Sequence, residues 1–204
     1  MKSEISLKIL GFDINISNEE HFILTNIRPI YYGLISQSSV QSYSQGFYNS
    51  VVLVFSDKKY RLIKITPGNV IIDILKVLNT KAKSITLIGL VGSLNTEYNI
   101  GKIVQPKFVS NFSSVKSKEI LNKQVVSELC ICQVNGLVQQ NCFYKMLLRE
   151  GIDFVDMESY YLTSYTSKKT DIKFIGIVSD MPLHIPFYKV FDVKFDYKTI
   201  LPYL

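Results

Sequence analysis

Residues 151–182 of this chain read GIDFVDMESYYLTSYTSKKTDIKFIGIVSDMP, and their pattern decides the fold class. A short apolar run closes at residues 155–158 (VDME), where we expect a helix to begin. Residues 172–178 form an apolar run of strand length that stops at Ser179 and Asp180. Continuously apolar runs are typical of strands that are buried on both faces of a sheet. The stretch therefore predicts strand, helix and strand, with helices on the faces of the sheet.

Acidic side chains stand where these elements change. Glu158 comes just past the first predicted strand, and Asp180 ends the second. In open α/β sheets, ligands bind in the crevice outside the carboxyl ends of the strands. We therefore expect both carboxylates to point into one cleft.

The segments before this stretch continue the alternation of strands and helices. Segments 51–55 and 60–65 flank a short polar turn, which is typical of a hairpin. Thr66 is a good N-cap and Pro67 suits a first helical position, so a helix is predicted over 67–79. The same reading predicts strands over 84–90, 101–109 and 125–134, a polar segment over 110–124, and a helix over 137–149.

The first fifty residues have a weaker pattern. Residues 5–16 and 22–27 partly alternate, which indicates an early β-meander or a sheet edge. Residues 35–50 are rich in Ser and Gln, and they predict a loop. This loop is either a surface connection, which we favour, or a lid or partner contact.

Composition limits the class of protein. The chain has 204 residues, enough for one domain over 1–204 with a single substantial core. It is 47% hydrophobic and 20% charged, which is typical of a globular protein. The net charge of +6 comes mostly from dispersed Lys, so no nucleic-acid partner is predicted. No membrane span and no signal peptide are recognisable, and we expect a cytoplasmic protein.

The cysteines do not indicate a metal site. Cys130, Cys132 and Cys142 lack the C-x-x-C spacing, and only two His residues are available. Buried thiols are the simpler interpretation. We expect neither a metal nor a cofactor.

Three segments together resemble the nucleoside phosphorylase and nucleosidase superfamily, whose members cleave N-glycosidic bonds of nucleosides. Residues 155–158 and 172–180 resemble its late V-E-M-E, helix, strand and S-D signature. Residues 84–94 (SITLIGLVGSL), followed by 100–104 (IGKIV), resemble its central strand and Gly turn. Residues 141–144 (NCFY) resemble its D-x-F-Y segment. The match covers about residues 60–182, and the N-terminal 50 residues are divergent.

The resemblance implies a fold and an assembly. The fold is α/β, with a mixed central β-sheet flanked by helices in a three-layer sandwich. The partner is a small-molecule nucleoside. Members of the superfamily commonly form oligomers, so a homo-oligomer is expected, with a dimer favoured.

The resemblance also implies roles for the two acids. Asp180 would be the general acid that protonates the purine, which requires surroundings that keep its proton on. Glu158 would accept hydrogen bonds from the ribose hydroxyls. Each has a structural alternative: Asp180 as a helix cap or loop residue, and Glu158 as a first-turn acid favoured by the helix dipole.

Other residues would form the walls of the site. By resemblance, Met157 would pack on the sugar and Phe143 on the base, although both residue types are also common in cores. Val91 and Gly92, together with Gly89, would form the floor. Asp156 stands where the family often has Glu, in the substrate-binding segment.

The nucleophile is decided elsewhere in the chain. Where phosphorylases place Arg and Ser, this chain has Leu87 and Leu90. Arg28 is the only candidate for an early phosphate-binding Arg, while the turn at 66–69 would offer backbone N–H groups to an anion. A water-activating acid would have to be Glu19 or Glu20, which an exposed turn explains equally well.

These departures favour hydrolysis of a purine nucleoside, including 5′-modified ones such as methylthioadenosine, S-adenosylhomocysteine or futalosine. Two alternatives stay open: a phosphorolytic purine nucleoside phosphorylase, and a catalytically degenerate nucleoside-binding protein of the same fold.

Overall fold

The computed structural model describes residues 20–44, 48–55, 58–79, 82–136, 139–189 and 196–204. The strand predicted over 5–16 lies outside these residues. Eleven strands of the described chain form one mixed sheet. The strands are β1 Glu20–Thr25, β2 Ser39–Ser44, β3 Ser50–Phe55, β4 Lys58–Lys64, β5 Ala82–Ser93, β6 Ile103–Val104, β7 Phe108–Asn111, β8 Ser114–Ile120, β9 Cys130–Gln133, β10 Phe154–Asp156 and β11 Asp171–Asp180.

The sheet is ordered β2-β3-β4-β1-β5-β10-β9-β7-β8, and β11 pairs with both β5 and β6. Four α-helices of the described chain accompany it: α1 Arg28–Ser36, α2 Ile71–Leu78, α3 Asn141–Arg149 and α4 Ser159–Tyr165. Three short 3₁₀ turns follow at Phe187–Lys189, Tyr197–Thr199 and Leu201–Tyr203.

The stretch 151–182 folds as its pattern predicts, into β10, α4 and β11. β11 extends two residues further than expected and includes Ser179 and Asp180. It runs parallel to β5. β10 runs parallel to β9 but antiparallel to β5, so the sheet is mixed in this region.

β1 lies in the middle of the sheet, between β4 and β5, and is parallel to both. The prediction of an early meander or edge strand was therefore wrong for this segment. Phe22, Ile23 and Leu24 are all buried, because both faces of the strand are covered. Phe22 and Leu24 belong to one core cluster and Ile23 to another, as the alternation of side chains along a strand requires.

Two layers of helices cover the sheet. α2 and α4 pack on one face, where Ile74, Leu75 and Leu162 belong to the first core cluster. α1 and the C-terminal residues pack on the other face, around Ile30 and Ile200. Each such buried aliphatic side chain stabilises the fold by about 1.5–3 kcal/mol. The expected three-layer α/β sandwich is confirmed.

The prediction of a loop over 35–50 was wrong for the middle of this range. Residues 39–44 form β2, which pairs antiparallel with β3. Its side chains are nearly all exposed, so the strand carries no apolar periodicity that sequence reading could detect. The adjacent hairpin of β3 and β4 is confirmed.

The helix predicted over 67–79 begins four residues late, at Ile71. Its N-cap position is Val70, and no side chain caps it. Thr66 and Pro67 instead belong to the connection between β4 and α2. Three other predicted elements are shorter than expected: 101–109 contains β6 and the start of β7 with a break between them, 125–134 contains only β9, and 137–149 contains α3 from Asn141. The strand predicted over 84–90 is longer, and the polar segment predicted over 110–124 contains β8.

β5 runs straight through the segment that was predicted to turn. Gly89 and Gly92 lie within the strand. A methyl group added at Gly92 would lie 2.8 Å from Cγ of Pro182 and 3.1 Å from Cγ2 of Val155. This glycine is therefore required for close packing rather than for a turn.

Candidate active site

The candidate site is organised around the C-terminal end of β5. Gly92 is the register partner of Val155 in β10 and of Asp180 in β11, on opposite edges of β5. With neighbouring strands about 4.8 Å apart, the backbones at Val155 and Asp180 are about 10 Å from each other. The chain continues from Val155 to Glu158 within three residues. Both acids singled out in the sequence thus come from strands that flank the same end of β5.

Glu158 is the N-cap residue of α4 and is only 3% exposed. Its Oε1 accepts a hydrogen bond of 2.6 Å from the amide of Gly68, which follows β4. Burial raises the pKa of the Glu158 carboxyl, although the amides of Gly68 and Met157 act in the opposite direction. The carboxylate therefore joins the β4–α2 connection to the start of α4.

Asp156 directs its carboxylate into the turn that follows it. Oδ2 accepts from the amides of Glu158 (3.1 Å) and Ser159 (2.7 Å), and Oδ1 accepts from the Ser159 hydroxyl at 2.6 Å. The side chain is 2% exposed. Burial and the neighbouring Glu158 charge raise the pKa of Asp156, and these three hydrogen bonds oppose the rise.

Asp180 ends β11 and is 6% exposed. Its Oδ1 accepts a hydrogen bond of 2.7 Å from the Ser179 hydroxyl. Burial raises the pKa of the Asp180 carboxyl, while hydrogen bonds from Ser179 and from the Phe187 amide favour the charged form. Such a carboxyl keeps its proton to a higher pH than an exposed Asp does.

The predicted wall and floor residues occupy different surroundings. Met157 is half-buried, and a methyl group added at Gly68 would lie 3.8 Å from its Cε. Val91 is fully buried in the first core cluster. Gly92 packs against Pro182, as described above.

Phe143 lies on α3, half-buried, with its ring 5.2 Å from that of Phe112. Its neighbour Tyr144 is the residue of this pair that is buried. Burial raises the pKa of Tyr144 and the nearby Asp180 charge adds to the rise, so the phenol lies within electrostatic range of Asp180. Sequence reasoning missed Tyr144, although Tyr144 and Leu147 are spaced as the buried face of a helix requires.

The positions that hold phosphate in the resembling phosphorylases are apolar here. Leu87 is buried in the first core cluster, and Leu90 packs against the second. Arg28 begins α1, where its exposed guanidinium lies 5.7 Å from the centre of the Tyr32 ring.

The backbone of Glu20 lies at the wrong end of the sheet to activate water beside Glu158. It starts β1, whereas Gly68 follows the C-terminal end of the parallel strand β4. The six residues of β1 span about 17 Å. Within one chain, the backbone of Glu20 is therefore remote from the Gly68 end of the sheet, and Glu19 lies outside the described residues.

His184 and the three cysteines are outside the set of residues to which the resemblance assigns a role. His184 is exposed in the turn after β11. Cys130 and Cys132 are buried, which raises the pKa of each thiol to about 11, and Cys142 is exposed. Within the described ranges, His, Cys, Asp and Glu form no group of three suited to a metal ion. None of the helices described is long and apolar enough to cross a membrane.

Comparison with solved structures identifies the fold. The 5′-methylthioadenosine/S-adenosylhomocysteine nucleosidase of Campylobacter jejuni matches with a TM-score of 0.66 and 12% identity, over 88% of this chain and 90% of that one. Futalosine hydrolase of Helicobacter pylori matches with a TM-score of 0.65 and 12% identity, over 81% and 89%. Purine nucleoside phosphorylase of Toxoplasma gondii, in complex with immucillin-H, matches with a TM-score of 0.62 and 16% identity, over 86% and 84%.

No family model matches the sequence, and a comparison with curated proteins gives no match. The structural matches nevertheless agree with one another. The chain has the fold that these two hydrolytic enzymes and this phosphorylase share, which is the fold that the resemblance implies.

Proposed function

We propose that this protein cleaves the N-glycosidic bond of a purine nucleoside by hydrolysis. The observation that carries the proposal is a pair of buried acids at one end of β5: Asp180 ends β11, and Glu158 follows β10. The solved structures of the same fold include two nucleosidases, which supports this class of reaction.

Asp180 is the proposed general acid. As the bond between the sugar C1′ and the base nitrogen breaks, its electron pair moves to the base, and Asp180 donates a proton to the purine. Water adds to C1′ and loses a proton, which completes the hydrolysis. A carboxyl whose pKa is raised by burial is suited to this role, because it is protonated nearer to neutral pH than an exposed Asp is.

Glu158 is the proposed ribose-binding residue. A carboxylate offers acceptor positions to two neighbouring hydroxyl groups. The amide of Gly68 already occupies one position on Oε1, and it fixes the direction of the carboxylate. Met157 and Phe143 would line the sugar and base sides, with Val91 and Gly92 beneath them.

Water is the favoured nucleophile for two reasons. Leu87 and Leu90 cannot bind an anion. The amide of Gly68, in the turn that would offer N–H groups to phosphate, donates instead to the carboxylate of Glu158. A negative charge in that position disfavours the approach of phosphate.

Phosphorolysis has one observation in its favour. Arg28 lies at the start of α1, just beyond the C-terminal end of β1, and forms no ion pair with the residues that the structure describes. If this guanidinium binds phosphate, the protein is a phosphorylase. By resemblance we also propose a cytoplasmic homo-oligomer, with a dimer favoured.

A nucleoside panel tests the proposed function. The protein is incubated with methylthioadenosine, S-adenosylhomocysteine, adenosine, inosine and futalosine, each with and without phosphate, and the released base is measured by chromatography. We expect release that does not depend on phosphate. Release only with phosphate would identify a phosphorylase, and tight binding without release would identify a nucleoside-binding protein.

A further inference from the structure

Most of the hydrogen-bond acceptor positions of Asp156 are occupied by groups of its own chain. An ionised carboxylate has about four acceptor positions, and three of those on Asp156 are filled by the amides of Glu158 and Ser159 and by the Ser159 hydroxyl. The side chain is also 2% exposed. Little of it is left to contact a ligand.

Gln133 acts on the same helix terminus from the adjacent strand. It ends β9 and is the register partner of Asp156. Its Oε1 accepts a hydrogen bond of 3.1 Å from the amide of Tyr161, and the residue is 2% exposed. The Tyr161 amide also donates to the Glu158 carbonyl at 3.1 Å, so Gln133 shares this amide with the first turn of α4. The amides of Glu158 and Ser159, which have no partner within the helix, donate to Asp156.

Glu158 is the residue that this arrangement holds. It is the N-cap of α4, and its own amide is the first of those that Asp156 and Gln133 bind. Fixing the backbone there directs the Glu158 carboxylate towards Gly68. We propose that Asp156, Ser159 and Gln133 form a clamp that positions Glu158, and that Asp156 does not itself bind the nucleoside.

The clamp explains why an Asp fits at this position. A short side chain can bond the amides two and three residues ahead of it. A Glu would need room for one more methylene group in a fully buried site, and overpacking of this kind is destabilising. This inference rests on the proposed function only where it concerns the ligand of Glu158.

Two substitutions at one position distinguish a clamp from a ligand-binding residue. In D156N, the amide oxygen still accepts from both backbone N–H groups, and its NH₂ group donates to Ser159 Oγ. We expect kcat/KM for base release to fall less than about tenfold in D156N, and at least about tenfold further in D156E. E158Q provides the benchmark for loss of a ligand-binding carboxylate, and D171N is the matched control at an exposed Asp.

The reverse order would overturn the clamp. If Asp156 binds the ribose, D156N should be as impaired as E158Q, and D156E, which has the residue of the resembling family, should be tolerated. If D156E fails to fold, the comparison of D156N with E158Q is sufficient to distinguish a positioning role of Asp156 from ribose binding. S159A adds a kinetic signature: a looser Glu158 should raise KM more than it lowers kcat.

Hydrogen exchange separates failure of the clamp from failure of the proposed function. In the ligand-free protein, D156A should speed amide exchange in residues 154–162, and D156N should not. If this pattern holds but no variant binds or cleaves a nucleoside, the clamp stands and the proposed function is wrong. If the wild type cleaves nucleosides and D156A leaves exchange unchanged, the function stands and the clamp is wrong.

Discussion

Three buried carboxyl groups dominate the electrostatics of the candidate site: Asp156, Glu158 and Asp180. Burial raises the pKa of each, yet each also accepts hydrogen bonds that favour its charged form. Asp156 accepts from two amides and one hydroxyl of the turn that follows it. Glu158 accepts from the Gly68 amide, and Asp180 accepts from the Ser179 hydroxyl and the Phe187 amide. The three hydrogen bonds of Asp156 agree with the proposed positioning role.

The raised pKa of Asp180 predicts how activity depends on pH. A general acid works while it is protonated, so base release should be fastest below this pKa and fall as the pH rises through it. The profile of kcat/KM against pH measures this fall in activity. In D180N, most of the activity should be lost, and the remaining activity should no longer fall over this pH range. If an active D180N protein showed the same fall, another group would be responsible for it.

At the scale of elements, α1 is closely packed against the C-terminal segment. A methyl group added at Gly33 would lie 2.6 Å from Cβ of Tyr197, at the base of that side chain, where it cannot swing away. Ile200 is fully buried in the same cluster, and Lys173 Nζ donates to the carbonyl of Tyr203. The packing of the C-terminal residues on α1 therefore requires a glycine at position 33.

Substituting Gly33 tests that packing. G33A should lower the free energy of unfolding by about 1–3 kcal/mol, because overpacking outweighs the gain in helix propensity of about 1 kcal/mol. Urea denaturation measures the change. In a Y197A background, G33A should lower the free energy of unfolding much less, since the clash is removed. If G33A lowers it by the same amount in the wild-type and Y197A backgrounds, the proposed contact is contradicted.

Across the whole molecule, local pattern predicted the elements well and the pairing of strands poorly. The stretch 151–182 folds as expected because its apolar runs and its acids are local signals. The central position of β1 depends on partners far along the chain, which no local pattern encodes. Gly89 and Gly92 resemble a turn, but their role is close packing between elements that are distant in sequence.

The residues of the candidate site also fall into two groups: those that local motifs predicted, and those whose place depends on contacts between distant parts of the chain. Motif spacing singled out Glu158 and Asp180, and the fold brings their strands to one end of β5. Gln133 and Tyr144 were missed, because their proximity to these acids follows from strand register and from helix packing. The absence of phosphate-binding side chains at Leu87 and Leu90 was visible in the sequence, whereas the bond from Gly68 to Glu158 was not.

The most direct test of the central claim compares wild-type protein with D180N in phosphate-free buffer, using the best cleaved nucleoside of the panel. Single-turnover release of free base is measured, with D171N as the surface control and circular dichroism to verify folding. We predict that the wild type and D171N release base and that D180N is slower by about 10²–10⁴-fold. A folded D180N that releases base at the wild-type rate would contradict the assignment of Asp180 as the general acid.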